Sequence, residues 1–201
     1  GVYVDKSGKG EARAENAGSI TSGWDALRVN HYGKGAATVV NTGTITAGQN
    51  AIDVYHGGGG NIDITTTGNI SSGEANDDYS YAAIFASHEG RGDISITTAG
   101  SVKGSYSAIS AYAANGAIEI TNNGSLANLS GESSDLVIFA GPRYDDSNGS
   151  VTITNNGIIT GAIVTDTDEY SYSEPIVNYG TSFDDTITNN GVWNTQNASN
   201  R

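Results

Sequence analysis

Three histidines stand at equivalent places in this chain, and imidazoles in register can do metal chemistry. His31, His56 and His88 each follow a short apolar alternation (Leu27/Val29, Ile52/Val54, Ile84/Ala86) by two residues. Each precedes a Gly-x-Gly turn: Gly33/Gly35, Gly58/Gly60 and Gly90/Gly92. If the three segments stack, the rings lie about 5 Å apart. Stacked imidazoles can chelate zinc or copper, and as close cations they depress one another's pKa. The other reading is a polar residue suited to stacking ahead of a turn. Lys6 holds the same place in the first segment, which predicts a column at least partly exposed.

Carboxylates and tyrosines form the second group. They concentrate in three segments, 74–81 (Glu74, Asp77, Asp78, Tyr79, Tyr81), 141–149 (Arg143, Tyr144, Asp145, Asp146) and 166–174 (Asp166, Asp168, Glu169, Tyr170, Tyr172, Glu174). Paired acids on neighbouring chain segments are the equipment of glycoside-cleaving enzymes. Asp77, Asp78, Asp145, Asp146, Asp166, Asp168 and Glu169 are the candidates, with Arg143 the only nearby base. Their place on loops rather than on facing strand positions argues for solvated loop tips. Calcium at Asp166, Asp168 and Glu169 meets the same objection, because hard cations take six or more oxygens.

The elements that must position these groups follow from a repeat of about 25 residues, written seven times from Gly1, Ala26, Ala51, Ala83, Ala108, Asp135 and Ala162. One column reads Gly18, Gly43, Gly68, Gly100, Gly124, Gly157 and Gly191. Two residues before it stand Asn16, Asn41, Thr66, Thr98, Asn122, Asn155 and Asn189. Apolar residues recur two apart within each run, which is strand period. Three short strands per repeat, each repeat unable to bury its apolar side alone, predict an all-β parallel β-helix (a β-solenoid) of about seven coils. The Asn/Thr column should form a side-chain hydrogen-bond ladder, and the glycine after it should take positive φ to turn the corner. Read as hairpin turns, the Asn-Gly pairs would give an antiparallel sandwich, which three strands per period disfavour.

On this register the three tyrosine-acid segments are inserts flanking the first-strand sheet. Outward positions of that sheet read Phe85, Tyr112, Val137, Phe139 and Val164 in the last four coils, with Tyr55 one coil earlier. Asp5, Arg28, Asn30 and Asp53 stand elsewhere on it. An outward apolar stripe rimmed by Tyr/Asp loops has the composition of a protein-binding surface. Alternatively, the loops fold down and cover the stripe as a satellite core.

Charged residues make up 15% of the 201-residue chain, where about 25% is usual. A net charge of −13 with nine Lys plus Arg argues against nucleic acid and anionic membrane as partners. No run approaches the roughly 20 apolar residues of a membrane span. Cys and Met are absent. A start inside a strand predicts a single β-helix segment, residues 1–201, of a longer solenoid.

Runs such as Asn41-Thr42-Gly43-Thr44-Ile45, Asn122-Asn123-Gly124-Ser125-Leu126 and Asn155-Asn156-Gly157-Ile158-Ile159 resemble the Asn-x-Gly-x-Ile repeats of pertactin-like autotransporter passengers. The resemblance covers all seven coils. It implies a right-handed single-stranded parallel β-helix, exported across a Gram-negative outer membrane and secreted or displayed at the bacterial surface. It further implies a role in adhesion or host interaction, as a virulence factor or adhesin; the loop placement of the acids predicts that the chain is not an enzyme, and no cofactor is expected. The expected partner is a host cell-surface or extracellular protein, or a second copy on another bacterium. The expected contact residues are Phe85, Tyr112, Val137, Phe139 and Val164, with Tyr79, Tyr81, Tyr144, Asp145, Asp146, Tyr170 and Tyr172 supplying specificity. A polysaccharide-acting lyase or glycosidase, or a passive spacer and secretion scaffold, are the other readings.

Overall fold

Apolar alternation at period two makes strands throughout, and because each repeat supplies three, the strands collect into three parallel sheets. The computed structural model describes residues 1–73, 81–131, 135–142, 149–165, 176–178 and 185–195, with backbone alone at 142 and 176–178. The first sheet runs β1 (Val2–Lys6), β4 (Leu27–His31), β7 (Ile52–His56), β10 (Ala82–His88), β13 (Ser107–Ala113), β16 (Leu136–Pro142), β19 (Ala162–Thr165) and β20 (Ile176–Asn178). The second runs β2 (Ala12–Asn16), β5 (Ala37–Asn41), β8 (Ile62–Thr66), β11 (Ile94–Thr98), β14 (Ile118–Asn122), β17 (Val151–Asn155) and β21 (Thr186–Asn189). The third contains β3 (Ser19–Ser22), β6 (Thr44–Ala47), β9 (Ile70–Ser72), β12 (Ser101–Gly104), β15 (Ser125–Asn128), β18 (Ile158–Thr160) and β22 (Val192–Asn194). This is a parallel β-helix with three strands per coil.

Register is kept by the columns read from the sequence. Val29 pairs with Val4 and Val54, Ile96 with Ile64 and Ile120, and Ile45 with Ile20 and Ile70. Inward columns of Ile, Val, Leu and Ala from all three sheets merge into one core, so each coil buries the apolar side that its neighbour exposes. Trp193 ends the third-sheet column partly buried, its Nε1–H donating to Gly161 O at 2.9 Å. Asp185 stands where an aliphatic residue belongs, and its carboxylate accepts the Val151 N–H at 2.8 Å.

The corner beside the second sheet carries the ladder. Asn16 Nδ2 donates to Asn41 Oδ1 at 2.8 Å, Asn41 Nδ2 to Thr66 Oγ1 at 3.0 Å, and Thr98 Oγ1 to Asn122 Oδ1 at 2.9 Å. Asn122 Nδ2 continues it to Asn155 Oδ1 at 2.8 Å, and Asn155 Nδ2 to Asn189 Oδ1 at 2.7 Å.

The glycines after this ladder are there for a different reason from the one expected. Positive φ occurs at Gly8, Gly73, Gly131 and Gly161 among the described residues, and none of them belongs to that column. What excludes a side chain is the coil beneath. A Cβ on Gly68 would run into Gly43 O, with Thr42 C only 2.9 Å away, and one on Gly124 would lie 2.5 Å from Ala99 C. Gly18, in the first coil, has nothing nearer than Asn16 Oδ1 at 3.9 Å.

Candidate functional site

Among the described residues, only the first sheet carries aromatic rings on its outward positions. The second presents mostly Thr (Thr38, Thr65, Thr97, Thr121, Thr154) with Arg13, Glu15, Val40, Asp63 and Glu119, and the third Thr46, Ser71 and Lys103, with Ile158 and Val192 exposed at its last two strands. Small β-branched, hydroxyl and charged residues suit a solvated pleated surface.

On the first sheet, Phe85, Ser110, Phe139 and Val164 follow one another in a single outward column of β10, β13, β16 and β19. Tyr112, one outward position further along β13, leans between two of them. Its ring centroid is 5.8 Å from Phe85 and 5.1 Å from Phe139, both at tilted angles. Such geometry adds aromatic pair energy to the area covered. All three rings and Val164 are half-buried. Ser110 between the phenylalanines is buried, its hydroxyl 2.8 Å from Ser107 Oγ.

Val137 does not join this surface. It is 0% exposed and belongs to the core. The cause is an extra residue in β16: Leu136 and Ile138 oppose adjacent Ala162 and Ile163, a bulge that turns Val137 toward Gly161 and the interior. Tyr81 lies just ahead of β10, half-buried, its hydroxyl accepting from Gln49 Nε2 at 3.0 Å. Tyr79, Tyr144, Asp145, Asp146, Tyr170 and Tyr172 lie outside the described residues, as do the acids Asp77, Asp78, Asp166, Asp168 and Glu169 and the base Arg143.

The histidines stack as expected, with centroids 4.8 Å apart between His31 and His56 and 4.7 Å between His56 and His88. The expected exposure is wrong: all three are 0% exposed. Each Nδ1 accepts the backbone N–H two residues on, from Gly33, Gly58 and Gly90, at 2.9, 2.9 and 3.0 Å. A nitrogen that accepts carries no proton, so each Nε2 is the N–H. It donates to Gly10 O, Gly35 O and Gly60 O, at 2.8, 2.8 and 2.5 Å. Both nitrogens of every ring are thus committed to backbone, and no lone pair faces a cation. Lys6 fills the role in the first coil, its ammonium donating to Glu11 O at 2.8 Å. Burial lowers the pKa of His56, helped by its two histidine neighbours, and burial lowers that of His88 against an opposing pull from the Gly60 carbonyl and Asp93. These imidazoles are structural pins of the Gly-x-Gly corner.

A second polar constellation went unnoticed as a site in the sequence. Arg28 on β4 lies between Asp25, at 3.2 Å, and Asp53 on the next coil, at 3.7 Å. Burial, then the Asp25 charge, raises Asp53 to about 6 against the pull of Arg28. Asp25 is close enough to share a hydrogen bond with it. Carboxyl groups that share a hydrogen bond cannot straddle a glycosidic bond, which needs roughly 5 Å or more between them. The signal available in the sequence was the outward parity of Arg28 and Asp53 on neighbouring coils.

No protein-family model, no curated protein and no solved structure matches this chain.

Proposed function

We propose that this β-helix is a segment of an exported, autotransporter-like passenger, secreted or displayed at a bacterial surface, and that it works as an adhesin or virulence factor by binding a protein. The observation that carries the reading is the Phe85–Tyr112–Phe139 cluster, continued by Val164, on outward positions where the described strands of the other two sheets carry no aromatic ring. Aromatic side chains with the hydroxyl of Tyr at the edge are the commonest anchors of protein interfaces. A chain of net charge −13 fits a partner whose apolar contact is ringed by Lys and Arg, and it repels a second copy of itself. The resemblance of the Asn-x-Gly runs supports the exported setting.

The test is capture from solubilised host surface and matrix proteins by the wild type and by Phe85→Ser/Phe139→Ser, the residue the same column already carries at Ser110. A basic protein retained by the wild type, lost by the variant and released by salt supports the proposal. Equal capture by both proteins, with matching circular dichroism, refutes the assigned face. Empty lanes favour the polysaccharide or spacer readings.

A further inference from the structure

The first three coils of the same sheet present a different surface. Along β4 the outward residues are Arg28 and Asn30, with Tyr32 next beyond the strand; Tyr3 and Asp5 lie on one side and Asp53 and Tyr55 on the other. Tyr3 is 58% exposed and Tyr32 52%. Neither ring is loose. The Tyr3 hydroxyl accepts from Asn30 Nδ2 at 2.7 Å and donates to Asp5 at 3.3 Å, and the ring lies under the Arg28 guanidinium at 5.9 Å. Tyr32 packs at 5.5 Å from Tyr55, whose hydroxyl donates to Glu89 at 2.6 Å. Next to these two rings is Gly57, where a side chain would meet the Tyr55 hydroxyl at 3.2 Å and Tyr32 Cδ1 at 3.5 Å.

Among these groups Asn30 is only 5% exposed, and its Oδ1 has no hydrogen-bond partner. The amide orientation is fixed by Tyr3, which gives its own proton to Asp5 and so must receive one from Nδ2. A buried acceptor without a donor is destabilising, and a ligand that supplies one relieves that cost. The two exposed rings flank it. Arg28 pairs with Tyr3 across the coils and stands four residues before Tyr32, so the two tyrosines start roughly 13 Å apart along the backbone, and their side chains lean toward Asn30 between them.

We propose that this surface is a binding site for a neutral oligosaccharide. Hexose rings have the two properties the site asks for. Their C–H faces stack on tyrosine, and their hydroxyls donate to Asn30 Oδ1, Asp5 and Asp53 while accepting from Arg28. With Asp5, Asp25, Asp53 and Glu89 against Arg28, the face is negative and disfavours uronate or sialylated chains. The site is separate from the Phe85 cluster, so either assignment stands or falls without the other.

The experiment is saturation-transfer NMR with titration of maltohexaose, cellohexaose, mannohexaose and galactohexaose, up to about 10 mM, the concentration range of weak ligands. A hexamer of galacturonate serves as the anionic comparison. At least one neutral hexaose should bind saturably. Tyr32→Ala and Asn30→Ala, checked for native circular dichroism, should each weaken it by about tenfold or more, while Phe85→Ser/Phe139→Ser leaves it unchanged. Absence of binding by all four neutral chains, retention by either Tyr32→Ala or Asn30→Ala, or preference for the galacturonate overturns the proposal.

Discussion

Glycine-to-alanine substitution along one column separates two explanations of why the column is glycine. At Gly124 a Cβ would sit 2.5 Å from Ala99 C and 2.6 Å from Ala99 O, whereas real Cβ atoms keep beyond 3.0 Å. The coils must therefore part by half an ångström or more at that corner. Two inter-coil bonds lie beside it, Asn123 N–H to Thr98 O at 2.7 Å and Ser125 N–H to Gly100 O at 3.0 Å. Stretched by that amount they reach the limit of useful hydrogen bonding. Overpacking of this kind costs about 1–3 kcal/mol, and each weakened bond up to about 1 more, so Gly124→Ala should lose roughly 3 kcal/mol. For a chain of this size that is about 6–12 °C in Tm. Gly18→Ala, with only Asn16 Oδ1 at 3.9 Å, should stay within about 0.5 kcal/mol of wild type. Thermal melts followed by circular dichroism read both. Equal losses at Gly18 and Gly124 would refute the close-approach explanation, because the two positions share the motif and differ only in the coil beneath.

Acid should destabilise the chain through the histidine column. The pKa values of His56 and His88 are depressed in the fold, so their contribution is intact above the unfolded value near 6.5 and is lost as pH falls through the folded values. Asp53, raised to about 6, acts oppositely, its contribution being lost as pH rises from about 3.8 through 6. Melts of Asp53→Asn, which removes the larger offset and leaves the smaller one of Asp63, should show Tm falling from pH 7.5 to pH 5, and a flat profile would contradict the buried neutral imidazoles. Asn122→Ala should lower the urea midpoint by the equivalent of about 3 kcal/mol, since the buried amide bonds Thr98, Gly124, Asn155 and Ile158. Asn122→Thr should recover part of that, as Thr66 and Thr98 already serve in the column. Asn30→Thr should raise stability by about 1 kcal/mol by removing the unpartnered Oδ1 at the expense of one bond to Tyr3, and a lower Tm would count against that reading.

The fold was legible because the same three strands recur with the same apolar spacing, and each repeat checks the others. Ile64, Ile96, Ile120 and Ile153 hold one column without interruption, and parallel stacking is the one arrangement that buries every member. The Asn/Thr ladder was legible for the same reason. Val137 was not, since the bulge in β16 adds a residue that a parity count carries straight through. The glycine column was read correctly as glycine and wrongly as a φ requirement, because the coil beneath is invisible in a one-dimensional pattern. His31, His56 and His88 were placed in register by their spacing. Their neutrality depends on Gly-x-Gly amides and carbonyls of the same and neighbouring coils, which no side-chain motif records. The Arg28–Asp25–Asp53 grouping was missed because its members look like ordinary polar outward residues until Asp25, from the preceding turn, is folded back upon them.

Stability alone accounts for two faces of this rod and fails on the third. Thr, Ser and charged residues over most of the second and third sheets satisfy strand propensity and water together, the exposed Ile158 and Val192 excepted. The first sheet, made by the same backbone at the same register, gives up stability at several points. Asn30 keeps an acceptor unpaired, Asp53 is buried against another carboxyl, and Tyr32 leaves more than half its surface in water. A chain that repeated Thr through those columns would lose nothing the coil needs. The two stretches of irregularity also differ in kind, polar and tyrosine-rich over β1, β4 and β7 and apolar over β10, β13, β16 and β19. Residues that weaken a fold at one face, in two chemically distinct blocks, are explained by what touches that face. A sugar chain over the first block and a basic protein over the second answer the two compositions separately, which is why the substitutions in one block should leave the other's ligand in place.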